Sequence, residues 1–516
     1  MELNSPERAL DILKYDIANM NFVRFPFEYD IFHYGSTDLI KSIREQLVAD
    51  SYQFSHCTIA EVPKGKNAVR PGALLSIRDQ FAYTLLGDKL YSYIRPELMD
   101  IQGVSDFGYQ FEPIEFEDSW FRSQFSCWEK WKFDSLDKIN SGAQFVVFTD
   151  VTGCYENIDI NLLMSDLRRI GTPAPLIKPI RNALKAWGII DTKGLPQGLS
   201  TSHLLAKLYL SQIDRDMKSL GYTQTRFVDD IRIFCSTLNE AKKALADLTQ
   251  VLRKRGLNMQ SAKLKIMPAD KAASEILGKA SVIAILQERL IGELSIEDLE
   301  DNPYAPSYKV NTTAPNMAQL IYIKQYFIDN FISAPDEDFD KSLFHYLLNK
   351  LGMAHSDFAV DYCVKLFDKH PEETKDILKY LSRQFETQSF IHDVASVLTD
   401  DKSVYDYQNF QITEFLFESR YVSEEFKTYL RKVAFNNNKP VYFRALCKQI
   451  LGWFAEYSDL IAIKDSLMLS SSAQEKDAII CSLNKLEKGV RNSYFTDLSS
   501  RDNSAVAAIA FTKQLS

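Results

Sequence analysis

The chain has 516 residues, of which 46% are hydrophobic and 25% are charged. This composition, with only 19 glycines and 17 prolines, excludes a disordered or fibrous chain, and the length is sufficient for more than one hydrophobic core. The formal net charge of −9 argues against a nucleic-acid-binding protein when the chain is taken as a whole, since such proteins are usually basic.

The charge is unevenly distributed along the chain. Residues 1–150 carry a net charge of −8, residues 151–280 a net charge of +8, and residues 281–516 a net charge of −9. A basic middle segment therefore lies between two acidic flanks. Chance clustering of solvated charges explains this pattern as well as a function does.

The cysteines and the chain start exclude several classes of protein. The seven cysteines are scattered and form no CxxC pair, which indicates reduced thiols rather than a disulfide framework or a zinc site. The first residues lack the basic and apolar regions of a signal peptide, and no stretch reaches the roughly 18 apolar residues of a membrane span. We expect a cytoplasmic protein with no membrane partner.

Before about residue 280, short β-rich runs and helical segments are mixed. Residues 144–150 form an apolar run that ends on Asp150, which is typical of a buried strand. Residues 225–235 predict a β-hairpin with two aspartates at its turn. Residues 199–219 and 239–255 have the spacing of helices. Because strands and helices do not strictly alternate, the pattern favours an α+β fold.

From about residue 315 onward, the pattern becomes almost purely helical. Amphipathic segments joined by short polar connectors predict stacked antiparallel helices or an irregular solenoid, although no fixed sequence period is found. The predicted helices are 317–333, 341–351, 357–368, 374–386, 424–433, 441–456 and 473–488.

Three carboxylates are predicted to meet at one end of the sheet. Asp150 ends a strand, and Asp229 and Asp230 lie at a hairpin turn. Like charges raise one another's pKa values, and a divalent cation such as Mg²⁺ relieves this cost. Two such ions about 3.5–4 Å apart can activate a hydroxyl and stabilise a pyrophosphate leaving group. Taken alone, the Asp-Asp pair is more often an ordinary turn, because Asp favours turns.

Four sequence patches resemble motifs A, B, C and D of reverse transcriptases, in the same order. They are Asp150 for motif A, Leu-Pro-Gln197-Gly198 for motif B, Phe-Val-Asp229-Asp230 for the Tyr-x-Asp-Asp of motif C, and Lys263 for motif D. Phe stands in place of the usual Tyr, and Met259-Gln260 stands where bacterial members usually have Leu-Asn. The resemblance implies a fingers and palm fold and a nucleotidyltransferase that synthesises DNA.

The resemblance also implies a metal site with two Mg²⁺ ions, for which Mn²⁺ can substitute. Asp150, Asp229 and Asp230 would be the catalytic residues, and together with Val151 they would hold the ions. Asp230 would in addition shape the primer end.

Further positions correspond to nucleotide contacts of the family. Tyr155 occupies the steric-gate position, where an aromatic ring excludes a ribose 2′-hydroxyl, with an ordinary core tyrosine as the alternative. Gln197 would contact the nucleotide or the template, and Gly198 would allow close backbone approach. Lys263 would donate a proton to pyrophosphate or stabilise its charge.

Residues 62–71 resemble the fingers motif of the same family, a basic hairpin followed by Arg-Pro. The resemblance places Arg70, together with Lys64 or Lys66, on the triphosphate of the incoming nucleotide. Cationic side chains at this point would neutralise phosphate charge. A solvated loop is the alternative for the two lysines.

The motifs cover about residues 60–280, and an acidic helical extension follows. An acidic surface is a poor clamp for a phosphate backbone. This architecture resembles the bacterial abortive-infection (Abi) reverse transcriptases of antiphage defence, within them the enterobacterial prophage-hotspot subgroup. It implies an all-helical HEAT-like domain in place of the thumb. The expected division is an N-terminal extension (1–60), fingers and palm (61–280), a linker (281–315) and the helical domain (316–516).

The same resemblance implies a bacterial homo-oligomer, a trimer or hexamer, that acts in phage exclusion. It would polymerise dNTPs without a template into single-stranded DNA attached covalently to a tyrosine, for which Tyr29 and Tyr34 are candidates. One alternative is an RNA-templated enzyme whose partner is a noncoding RNA. Another is an interaction or sensor protein with an inactive palm.

Overall fold

The structure is a computed structural model. It describes residues 2–19, 23, 25–65, 68–112, 119–188, 192–277, 314–334, 339–384, 390–502 and 505–515. The chain divides into two compact units. The first unit comprises the described residues of Met1–Asn21, Lys41–Cys57 and Arg78–Val310, and the second comprises those of Phe22–Ile40, Thr58–Ile77 and Asn311–Ser516.

The described strands and helices are as follows. The strands are β1 (Thr58–Lys64), β2 (Ala68–Leu74), β3 (Phe145–Asp150), β4 (Thr223–Phe227), β5 (Asp230–Cys235) and β6 (Lys265–Pro268). The helices before residue 278 are α1 (Pro6–Asn19), α2 (Glu28–Tyr34), α3 (Ser36–Val48), α4 (Ile77–Leu98), α5 (Gln124–Asn140), α6 (Cys154–Asn157), α7 (Ile160–Arg169), α8 (Ala174–Trp187), α9 (Ser200–Ser219), α10 (Leu238–Lys254) and α11 (Ala269–Leu277). The helices after residue 314 are α12 (Met317–Phe327), α13 (Lys341–Met353), α14 (Val360–Lys369), α15 (Thr374–Leu381), α16 (Ile391–Thr399), α17 (Asp406–Glu418), α18 (Glu424–Ala434), α19 (Val441–Phe454), α20 (Tyr457–Ser466), α21 (Ala473–Ser482), α22 (Lys488–Arg501) and α23 (Val506–Thr512).

A four-stranded antiparallel sheet lies at the centre of the first unit, with the strand order β4-β5-β3-β6. The predicted strand over 144–150 and the predicted hairpin over 225–235 are both confirmed. Val146 and Val147 of β3 are fully buried, as expected of a strand with neighbours on both sides. The register places Asp150 opposite Asp230.

Helices cover this sheet and complete the α+β architecture. The predicted helices over 199–219 and 239–255 correspond to α9 and α10. α9 is buried along most of its length, and it packs against β4, α7 and α10.

The second unit combines the β1-β2 hairpin with the C-terminal helices. β1 packs against α17 and against the helical turn Pro371–Glu373. The segment 58–77, which contains this hairpin, therefore groups with the helical region, although the predicted division assigns 61–77 to the fingers and palm. That division stays a prediction, and 281–313 of the predicted linker lie outside the described residues.

The C-terminal region is helical, as expected from the sequence. Each predicted helix has a counterpart, although α15 ends at Leu381 rather than near residue 386. Five further helices were not predicted, namely α16, α17, α20, α22 and α23. In α17 the polar residues Gln408, Asn409 and Thr413 are buried together with the apolar ones, so the helix has no amphipathic stripe to reveal it. Among the described helices, none is both long and apolar enough to cross a membrane.

Asp16 of α1 lies at the start of α9. Its buried carboxylate accepts hydrogen bonds from the backbone N–H of Ser200 at 2.9 Å and from the Ser200 Oγ at 2.6 Å. Burial raises the pKa of Asp16 to about 7, although the two bonds from Ser200 lower it. Between about pH 4 and pH 7, Asp16 therefore keeps its proton in the folded chain but has released it in the unfolded chain.

We expect Asp16→Asn to remove this pH dependence. The amide keeps one acceptor for the Ser200 N–H and one donor for its hydroxyl, but it carries no charge to bury. As the pH rises from 4 to 7, the free energy of unfolding of the wild type should fall by about 2–4 kcal/mol relative to that of the variant. Urea unfolding of both proteins at pH 4.5 and pH 7.5 measures this difference, and a constant difference would contradict the prediction.

Candidate active site

The three predicted carboxylates lie at one edge of the sheet in the first unit. Asp150 ends β3, Asp229 lies in the β4-β5 turn, and Asp230 begins β5. Residues directly opposite in an antiparallel pair project on the same face, so Asp150 and Asp230 are neighbours. The backbone N–H of Val151 donates to the Asp229 carbonyl at 3.1 Å. The strand pairing therefore brings together residues that are about 80 positions apart in sequence.

Electrostatics at this edge reflect the crowding of like charges. Burial, together with the charges of Asp229 and Asp150, raises the pKa of Asp230 to about 7, while Lys263 and Arg232 oppose the shift. The Lys263 Nζ lies 2.6 Å from the Asp150 Oδ2. Burial lowers the pKa of Lys263, but its bond to Asp150 and the nearby carboxylates raise it overall. Lys263 therefore neutralises part of the negative charge.

The carboxylates fit a divalent cation by their chemistry. The Asp150 Oδ1 is buried and accepts no hydrogen bond from the residues that the structure describes. A cation would use this oxygen and would relieve the repulsion that, after burial, raises the pKa of Asp230. The three side chains do not all place an oxygen within 4.8 Å of one another, and the Asp150 Oδ2 is paired with Lys263.

Within the described residues, one group does meet that distance, namely His345, Glu373 and Asp376 in the second unit. The His345 Nε2 contacts Glu373 and lies 3.4 Å from the Asp376 Oδ2. The Lys341 Nζ lies 3.4 Å from the Glu373 Oε1. A lysine thus already compensates the buried carboxylate, and the group is an ion-paired cluster.

The aspartate turn has an unusual backbone at Val228. This β-branched residue has φ 54°, a left-handed conformation that such side chains rarely adopt. The Arg226 Nη1 donates to the Val228 carbonyl at 2.8 Å. Gly108 lies so close that a Cβ on it would be 2.6 Å from the Val228 nitrogen. The turn is therefore held by a side-chain donor on one side and by a close backbone approach on the other.

A buried ion network lies beneath the turn. Arg226 pairs with Asp214 at 2.6 Å and with Asp106 at 3.3 Å, and Lys207 also contacts Asp106. The Lys207 Nζ donates to the Gly108 carbonyl at 2.9 Å. All four charged side chains are buried. These residues were not predicted from the sequence, although charged residues inside an apolar strand and an apolar helix were a signal that could have revealed them.

The segment around residue 107 extends this support. The Phe107 N–H donates to the Arg226 carbonyl at 2.8 Å, and the Arg226 N–H donates to the Ser105 carbonyl at 2.7 Å. These bonds run alongside β4, so the ion network and the backbone pairing act on the same strand.

The Gln197-Gly198 turn precedes α9. Gly198 has φ 86°, a left-handed backbone conformation that favours glycine. The backbone therefore gives a second reason for glycine here, besides the predicted close approach of the nucleotide or template. The Leu195 N–H donates to the Tyr155 carbonyl at 2.9 Å. This bond joins the segment that contains Gln197 to the segment that follows Asp150.

Tyr155 contacts residues that the sequence analysis did not single out. Its hydroxyl forms a hydrogen bond of 2.6 Å with the Nδ1 of His203, and the His203 ring stacks on Tyr109 with the centroids 3.9 Å apart. Tyr109 and Tyr155 both pack against a buried cluster that includes Phe227 and Val228. The role of Tyr155 as a steric gate stays a prediction.

The predicted triphosphate-binding residues and the candidate priming tyrosines belong to the second unit. Lys64 ends β1, and Arg70 lies in β2 opposite Val62, while Lys66 is outside the described residues. Tyr29 of α2 stacks on His33 with the ring centroids 6.1 Å apart. Tyr34 is 45% exposed, and its ring lies 6.1 Å from that of Phe511.

Comparison with known proteins identifies the class of domain. Residues 63–281 match the family model described as reverse transcriptase (RNA-dependent DNA polymerase). The group II intron-encoded protein LtrA of Lactococcus lactis subsp. cremoris is 34% identical over 115 residues, which cover 20% of this chain and 18% of that protein. The chain therefore matches less than a fifth of the length of this relative.

Solved telomerase structures are also similar. Telomerase from Candida albicans in complex with the TWJ fragment of telomeric RNA has 11% identity and a TM-score of 0.34, covering 75% of this chain and 65% of that one. Apo telomerase from Candida tropicalis has 12% identity and a TM-score of 0.34, covering 86% and 74%.

Residues 63–281 thus match the model of the reverse transcriptase family. The four sequence patches that resemble motifs A to D, from Asp150 to Lys263, all lie within this matched range. Domains of this class belong to RNA-dependent DNA polymerases, which are nucleotidyltransferases.

We expect Gly108→Ala to displace the aspartate turn. The new methyl group would lie 2.6 Å from the Val228 nitrogen and 2.9 Å from its Cγ2, so the backbone of Val228 would have to shift. Overpacking of this kind costs about 1–3 kcal/mol of the free energy of unfolding. The midpoint temperature of thermal unfolding and the rate of nucleotide incorporation measure the two effects. Both should be lower in the variant than in the wild type.

Gly489→Ala is the matched control. Gly489 lies in α22, and the nearest heavy atom to a Cβ there is 3.6 Å away on Glu487. Equal stability and equal activity of the two variants would show that the close approach at Gly108 does not hold the turn.

Proposed function

We propose that the chain is a DNA polymerase of the reverse transcriptase class that adds deoxynucleotides at the carboxylate edge. The observation that carries this proposal is the register of β3 and β5, which sets Asp150 opposite Asp230 with Asp229 beside them. Asp150, Asp229, Asp230 and the Val151 carbonyl would hold Mg²⁺ ions. Such ions would offset the repulsion among the carboxylates and supply the positive charge that phosphoryl transfer needs.

The remaining residues of the site would bind and orient the nucleotide. Lys263, already paired with Asp150, would neutralise phosphate charge near the reacting atoms. Gln197 would contact the base or the template, and Tyr155 would exclude a ribose 2′-hydroxyl. Arg70 and Lys64 of the β1-β2 hairpin would bind the triphosphate.

We further propose that synthesis is primed by a tyrosine of the protein, needs no template and serves phage exclusion. The resemblance of the domain and its acidic helical extension to abortive-infection reverse transcriptases supports this proposal. Of the two candidate tyrosines, Tyr34 has the more accessible side chain, as a priming hydroxyl requires. The proposal includes a homo-oligomer, for which a trimer or a hexamer is expected.

We expect Asp229→Asn to abolish nucleotide incorporation. The amide keeps the shape of the side chain but removes a charge that a cation would use, so incorporation should fall by a factor of about 10²–10³ or more. Labelled dNTPs with Mg²⁺, separated on denaturing gels, measure the change. Asp270→Asn is the control, because Asp270 is an exposed acid in the same domain. Full activity of Asp229→Asn would contradict the proposed site.

We expect the labelled product to remain attached to the polypeptide without any added template. Nuclease digestion followed by mass spectrometry should find a nucleotide adduct on one tyrosine, and Tyr34→Phe tests the favoured candidate. An adduct on another tyrosine would reassign the primer. Label that appears only after an RNA template is added, and never on the protein, would favour a templated reverse transcriptase.

A further inference from the structure

Tyr109, Tyr155 and His203 form one group of contacting side chains in the first unit. The Tyr155 hydroxyl lies 2.6 Å from the His203 Nδ1, and the two rings are nearly perpendicular at 87°. The His203 ring is nearly parallel to that of Tyr109 at 14°, with the centroids 3.9 Å apart. The far end of the Tyr155 ring is therefore tied to an imidazole that is itself fixed by stacking.

Each member of this group comes from a segment that carries part of the candidate site. Tyr155 lies in α6, five residues after Asp150. His203 lies in the first turn of α9, directly after the Gln197-Gly198 turn. Tyr109 follows the glycine that packs against Val228. The group thus links the three parts of the chain that would surround a bound nucleotide.

The group is also uncharged. Burial lowers the pKa of His203 to about 3, so the imidazole is neutral at physiological pH. Burial raises the pKa of Tyr155 well above its usual range, so its hydroxyl keeps its proton. The N–H of Tyr109 donates to the Gln124 Oε1 at 3.0 Å, and Tyr109 has a left-handed backbone with φ 47°. One neutral hydrogen bond and one ring stack therefore hold Tyr155 over a wide pH range.

We propose that His203, stacked on Tyr109, is a positioning residue for Tyr155 and determines how strictly the site selects deoxyribonucleotides over ribonucleotides. This inference rests on the proposed polymerase function. A tyrosine ring excludes a 2′-hydroxyl only if it cannot swing away, and the bond to His203 removes that freedom. A site that lost the bond would still bind deoxynucleotides, but it would admit ribonucleotides more readily.

The test compares the specificity constants kcat/KM for a deoxynucleotide and the matching ribonucleotide. His203→Phe removes the hydrogen bond and keeps a ring to stack on Tyr109, while Tyr155→Phe removes the hydroxyl and keeps the gating ring. Each should lower the deoxy-to-ribo ratio about 3–10-fold, the range expected for one hydrogen bond. The double variant should lower the ratio no further, because both single changes break the same bond.

Two more variants separate positioning from a general loss of structure. An asparagine amide can replace the Nδ1 of histidine in the bond, so His203→Asn should retain more of the wild-type ratio than His203→Phe. Tyr155→Ala removes the ring and should lower the ratio most. An unchanged ratio in His203→Phe, beside a lowered ratio in Tyr155→Ala, would overturn the role of His203 and leave the proposed function intact.

Equilibrium dissociation constants for the deoxynucleotide and the ribonucleotide give a second comparison, which needs no turnover. Binding of the deoxynucleotide in preference to the ribonucleotide, weakened in His203→Phe, supports the inference even if the wild type incorporates neither. Preferential binding without incorporation would contradict the proposed function but not the role of His203. Equal affinities of the wild type for the two sugars, or no binding of either, would overturn the inference.

Discussion

The ion pairs of Arg226 beneath the β4-β5 turn are the interaction on which the candidate site depends. Arg226 is paired with two buried aspartates, and through the same guanidinium it holds the carbonyl of Val228. Removing one partner from such a network leaves an uncompensated buried charge, which costs about 3–5 kcal/mol. The arrangement is therefore strongly constrained, and it can maintain the left-handed conformation of Val228 that presents Asp229.

This constraint explains how the sheet edge tolerates three neighbouring acids. Burial and their mutual repulsion both oppose ionisation here, and together they raise the pKa of Asp230. The pairing of β3 with β5, the close approach of Gly108 and the bond from Lys263 to Asp150 offset it. Repulsion is thus concentrated where a cation can relieve it, while the supporting residues Arg226 and Gly108 are buried.

Several parts of the fold follow from the sequence for local reasons. The apolar run of β3, the hairpin and most C-terminal helices were predicted, because strand and helix periodicities are set by residues a few positions apart. The unpredicted helix α17 buries Gln408 and Thr413 among apolar residues, so its sequence has no periodic signal. Likewise, the grouping of β1 and β2 with the C-terminal helices depends on packing between segments more than 300 residues apart.

The order of the motif residues and the strands that carry the three carboxylates follow from the sequence alone. The side chains that support these residues became apparent only in the folded structure. Arg226 reaches back to Asp106, and Tyr155 reaches forward to His203, across 120 and 48 positions respectively. A local pattern cannot encode such partners, because a buried charge or hydroxyl can be satisfied by any segment that the fold brings within hydrogen-bonding distance.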